Sequence, residues 1–156
     1  MRGGAVCRPD ATGGTKMPQD QIFYPMGALA LLTFVVLALI PIRRFRAGYA
    51  GRIVADDFKY GESKNVPPDV SIPNRAYMNL LELPVLFYVL CMMLFVSNRV
   101  DQIFRYLAWG YVALRAIHTV IHVTHNNVMH RLRAFALSNF VLIAMWGLFF
   151  WRMLSS

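Results

Sequence analysis

Apolar residues fall in four blocks separated by polar segments, not in one amphipathic pattern spread along the chain. The first block covers residues 22–42 and holds no charged side chain. At about 1.5 Å per residue it is long enough for the roughly 30 Å hydrocarbon core of a bilayer. Three more blocks follow at 74–96, 103–124 and 134–151. The last three are joined by the short connections SNRVD and HNNVMHRLR, so sequential spans must run antiparallel. The pattern predicts an all-α membrane protein: a four-transmembrane-helix bundle, up-down-up-down.

Between the first two blocks lies one long polar segment, 47–73, with the pair Pro67 and Pro68. The first block is expected to end at Pro41 and the basic cluster Arg43, Arg44 and Arg46. Residues 1–20 are rich in Gly, Pro and Thr and have no apolar core, so they read as a flexible tail preceding a membrane domain over 21–156. Met17, just before the first span, is an alternative start to Met1. Cys7 in this tail and Cys91 inside an apolar block are poorly placed to form a disulfide.

Composition agrees with the pattern. The chain is 57% hydrophobic and 15% charged, more apolar than the roughly 45–50% of soluble domains. The net charge of +8 would suggest nucleic acid in a soluble protein. Here the basic residues cluster at the ends of the apolar blocks, where they set topology and meet anionic headgroups, so no nucleic-acid partner is expected. Nine Lys and Arg fall on the side of the long loop and third connection, against six on the other. The positive-inside rule places the loop in the cytoplasm and both termini outside. Short loops in a compact chain suggest a bacterial inner membrane.

Two spans carry polar residues in register. Arg75, Asn79 and Glu82 fall at i, i+4 and i+7, one stripe of the second span. Tyr111, Arg115, His118, His122 and His125 form a similar stripe on the third. An ionisable group near the bilayer centre costs about 2.5–3.5 kcal/mol on insertion scales and must find a partner inside the protein. Glu82 and Arg115 stand at similar depth, which predicts a structural ion pair, with the histidines as polar contacts between helices. The remaining cations and donors, including Arg131 and Arg133, exceed what one carboxylate needs, and that excess suits an anionic ligand. His118, His122 and His125 have a spacing that would also allow a metal or haem. The neighbouring arginines oppose a cation there, so no metal is expected.

These residues resemble the MAPEG family, the membrane-associated proteins of eicosanoid and glutathione metabolism. NRAYMNLLELPVLFYVL is similar to the family's RAxxNxxE segment with its following proline and aromatics, and RAIHTVIHVTHNNVMHR to its pattern on the third helix and the loop beyond. The resemblance covers residues 22–151 in the same four-span order. It implies a homotrimer binding glutathione between subunits near the cytoplasmic face. On that resemblance Arg75, Asn79, Glu82, His118 and His122 bind glutathione, and Arg131 is the catalytic residue that stabilises its thiolate, with Arg133 as the alternative. The sequence departs from the family at His122, where tyrosine is common, and at Leu83, where an aromatic residue is common.

The implied activity is a glutathione transferase or peroxidase acting on lipophilic electrophiles or lipid hydroperoxides that arrive from the bilayer. The alternatives are a non-catalytic membrane protein binding an anionic lipid or a protein partner, and a metal or haem protein built on the third-span histidines.

Overall fold

The computed structural model describes residues 18–155. Most of the expected tail, with Met17 and Cys7, lies outside them. After a short 3-10 turn at Gln19–Ile22, five helices follow: α1 (Phe23–Tyr49), α2 (Pro68–Leu81), α3 (Pro84–Val96), α4 (Gln102–Val123) and α5 (Val128–Leu154). Together α2 and α3 form the second span, so the five helices make four crossings. The segments Gln19–Tyr49, Pro68–Val96 and Val128–Leu154 are long and apolar enough to cross a bilayer. The fourth crossing, α4, is less apolar because Arg115, His118, Thr119 and His122 lie on it. All four face inward and are buried, which is how a span tolerates them.

Helix boundaries depart from the expectation in three places. First, α1 does not stop at Pro41 but continues to Tyr49. A proline removes one helical hydrogen bond, and the packing of Ala47 against Val66 and Val70 carries the helix past it. It ends instead at Gly51, whose φ of 67° lets Gly51 N–H reach the Gly48 carbonyl and Arg52 N–H the Ala47 carbonyl, both at 2.9 Å. That is a Schellman C-cap.

Second, α2 begins at Pro68, a proline suited to the first helical position, well before residue 74. Pro73 inside it has no N–H to give the Asp69 carbonyl, and Arg43 Nη1 donates to that oxygen at 3.0 Å instead. Arg43 Nη2 also donates to the Val123 carbonyl at 3.1 Å, tying α1 to the ends of α2 and α4. Third, the second span breaks at Glu82, with ψ of −93°, because Pro84 two residues on cannot continue the ladder.

The core runs through all the helices. Ile22, Leu29 and Val36 from the first span meet Leu80 of α2, Phe87 and Leu94 of α3, Phe104 and Tyr111 of α4, and Leu142, Met145 and Phe149 of α5. The end bearing Gln19 and Arg152 is stitched by polar contacts. Gln19 exchanges two hydrogen bonds with the Val100 backbone, Arg105 donates to Gln21, and Arg152 pairs with Asp101. The opposite end, where a short turn joins α4 to α5 beside α2, holds the candidate site.

Candidate functional site

A cavity of about 320 Å³ opens between α2, α4 and α5, lined by Arg75, Asn79, His118, His122, Val128, Arg131, Leu132 and Phe135. Helical spacing explains each contribution: Arg75 and Asn79 are one turn apart on α2, His118 and His122 one turn apart on α4, and Val128, Arg131, Leu132 and Phe135 share the first two turns of α5. Asn79 Nδ2 donates to the Arg75 carbonyl at 3.0 Å, which leaves its Oδ1 to accept from a ligand. The His118 and His122 rings meet edge to face at 5.8 Å.

The turn between α4 and α5 positions Arg131. Asn126 takes a left-handed conformation with φ of 45°, closing α4 through its N–H to the Ile121 carbonyl at 2.8 Å. Asn127 then caps α5, its side chain accepting from the N–H groups of Met129 and His130. Asn126 Oδ1 accepts from Arg131 Nη1 at 2.7 Å, a charge-assisted bond that fixes the guanidinium. The Arg131 carbonyl lies 3.1 Å from His118 Nδ1. A carbonyl only accepts, so Nδ1 carries the hydrogen.

Arg115 stands one turn deeper and is fully buried. Its Nε donates to the Tyr111 hydroxyl at 3.0 Å, and its guanidinium lies over the Tyr111 and Phe135 rings at 5.5 and 5.3 Å. Phe135 also touches the His118 ring at 5.6 Å, so it forms the wall between Arg115 and the cavity. Nη1 and Nη2 of Arg115 have no hydrogen-bond partner among the described residues.

The structure brings Arg75, Asn79, His118, His122 and Arg131 together and leaves Glu82 out. The expected Glu82–Arg115 pair is not formed: the ion pairs among the described residues are Arg44–Glu62, Arg52–Asp69 and Arg152–Asp101. Glu82 is still tied to α2 by its N–H to the Met78 carbonyl at 3.1 Å, and it lies with Arg75 on the exposed surface of the chain, away from buried Arg115. Arg133 is likewise exposed and outside the cavity. His125 stands on the exposed turn, bonded to Thr124, so the three histidines do not converge. No group of three His, Cys, Asp or Glu among the described residues is placed to hold a metal.

Sequence reasoning missed Asn126, which holds Arg131, and the apolar wall of Val128, Leu132 and Phe135. The consecutive asparagines before α5 were a readable signal, since Asn is favoured both in left-handed turns and at helix N-caps.

The family model of the MAPEG family matches residues 22–151, nearly the whole described chain and every residue lining the cavity. The chain belongs to the MAPEG family. This MAPEG chain is therefore an integral membrane protein of the group associated with glutathione and eicosanoid metabolism. Neither the curated proteins nor the solved structures yielded a match to it.

Proposed function

We propose that this MAPEG protein is a glutathione-dependent transferase or peroxidase acting on lipophilic electrophiles or lipid hydroperoxides. The observation that carries the reading is the composition of the cavity: two guanidinium groups, an amide and two imidazoles beside the apolar side chains of Val128, Leu132 and Phe135, with no carboxylate among the described lining residues. Guanidinium groups match the two carboxylates of the tripeptide and a thiolate. A free thiol with a pKa near 8.5 is mostly protonated at neutral pH, and a guanidinium beside the sulfur favours the nucleophilic thiolate. Arg131 fills that role, with Arg75 and Asn79 holding the tripeptide. In transfer, the sulfur attacks an electrophilic carbon and the leaving group departs. In peroxide reduction, it attacks the distal oxygen, the O–O bond breaks, and a second thiol then converts the sulfenic acid to disulfide and water.

Val128 and Leu132 are exposed at the cavity mouth, which suits a lipophilic substrate arriving laterally from the bilayer. The volume is at the low end of the roughly 300–1,000 Å³ of ligand pockets, and Arg75, which lines it, is exposed on the single chain, as is Glu82. Both features fit a homotrimer in which a neighbouring subunit completes the site and covers Glu82. The Lys and Arg distribution supports a cytoplasmic long loop and external termini, with glutathione entering from the cytoplasm.

The test is the ultraviolet absorbance of the thiolate when glutathione is added to purified protein. The wild type and Arg133→Ala are expected to show it and Arg131→Ala to lose it. No signal from the wild type, or an unchanged signal from Arg131→Ala, refutes the reading. Retention of an anionic lipid through purification without turnover of general electrophiles would favour a non-catalytic binding protein instead.

A further inference from the structure

A thiol entering the cavity must give up a proton before its sulfur can attack, and the lining residues leave few groups able to take it. We propose that His122 is the proton acceptor, acting through Nε2; this rests on the thiol-dependent reading above. Arg75 and Arg131 neutralise a thiolate but are already protonated at any working pH and accept nothing. The amide of Asn79 and the side chains of Val128, Leu132 and Phe135 have no basic group, and among the described residues no carboxylate, phenol or thiol lines the cavity. Two imidazoles remain.

They are not equivalent. His118 commits Nδ1 to the Arg131 carbonyl, and its Nε2 is sealed inside the protein without a partner. In His122 the sealed nitrogen is Nδ1. Its Nε2 is therefore the one imidazole nitrogen among the described cavity residues that is both uncommitted and open to a ligand. Proximity supports the assignment, since His122 and Arg131 line the same small space. A sulfur between them has a proton acceptor on α4 and a counter-charge on α5.

The step balances. The S–H bond breaks heterolytically, the proton passes to His122 Nε2, and the electron pair stays on sulfur beside the Arg131 guanidinium. Once the thiolate has attacked carbon or the distal peroxide oxygen, the imidazolium returns its proton to the leaving group or to the alkoxide oxygen. The charged groups facing the ring are Arg75 from α2 and Arg131 from α5, with His118 beside it on α4. An imidazolium here is repelled by both guanidinium groups and offset by the thiolate alone, so consumption of the thiolate favours return of the proton at the end of the cycle.

Stopped-flow mixing of the full-length protein with glutathione separates the two arginine and histidine roles. Thiolate is read by its absorbance, and protons released to a weakly buffered medium by an indicator dye. The wild type is expected to form thiolate without releasing an equivalent of protons. His122→Gln and, as a second variant, His122→Asn are expected to slow thiolate formation by about 10²-fold or more, measured at saturating glutathione, and to shed the proton into the medium. Arg131→Ala is expected to lower the final amount of thiolate instead. The proposal is overturned if the wild type releases one proton per thiolate, a result that needs no variant to fold, or if either His122 variant keeps the wild-type rate. An absence of thiolate in the wild type overturns the thiol reading itself and this proposal with it.

Discussion

Asn126 tests whether the α4–α5 turn, and not Arg131 alone, determines the behaviour of the cavity. Its side chain accepts from Arg131 Nη1 at 2.7 Å, and its backbone sits at φ of 45°, so substitution touches two separable quantities. A hydrogen bond to a charged group contributes about 1.5–3 kcal/mol net. Arg131 is only partly buried, which places the tether near the lower figure, worth about tenfold in an equilibrium. Left-handed backbone costs a side-chain-bearing residue such as Ala about 1–2 kcal/mol, and glycine almost nothing. Asn126→Ala and Asn126→Gly should therefore lose thiolate stabilisation equally, by about tenfold, measured as the absorbance amplitude against pH. Thermal unfolding in detergent should separate them, with the alanine variant less stable by about 1 kcal/mol or more. If both variants keep the wild-type amplitude, Asn126 does not hold Arg131 in its working position. If glycine is as destabilising as alanine, the backbone argument is wrong.

Gly51→Ala places a Cβ in open space but at φ of 67°, so chemical denaturation should show a loss of about 1 kcal/mol from strain alone. Phe87 is fully buried and stacks on Tyr111 at 4.7 Å; Phe87→Ala should cost about 3–5 kcal/mol in the same assay, and a loss below about 1 kcal/mol would contradict its place in the core. In the long loop, the Val54 N–H and the Ser63 hydroxyl hold the Asp57 carboxyl below its ordinary value of 3.8. A lowered folded pKa means that this stabilisation is complete above the ordinary value and is lost as pH falls through the lowered one. Limited proteolysis with an acid-active protease should detect the loop opening at that acidic end in the wild type, whereas Asp57→Asn should be cleaved with no such pH step.

The one-dimensional pattern determined the membrane class, the number of crossings and the two polar stripes, because burying apolar length in a bilayer and keeping ionisable groups off lipid are constraints that each span meets largely by itself. The grouping of Arg75 with Asn79 and of His118 with His122 was legible for the same reason, since each pair depends only on an unbroken helical turn. Glu82 was misread because the stripe fixed only that Arg75, Asn79 and Glu82 share a face of α2, and packing of the helix left Arg75 and Glu82 on the exposed surface of the chain. The end of α1 was misread because the packing of Ala47 against Val66 and Val70, residues distant in sequence, outweighs the local effect of Pro41. The cavity itself was a tertiary decision. Arg131 rather than Arg133 faces the histidines because Asn126 and Asn127 set the angle at which α5 leaves the turn, and spacing along the chain carries no record of that rotation. Which imidazole nitrogen is open depends in turn on where the Arg131 carbonyl lands, a long-range contact visible only once the helices are packed.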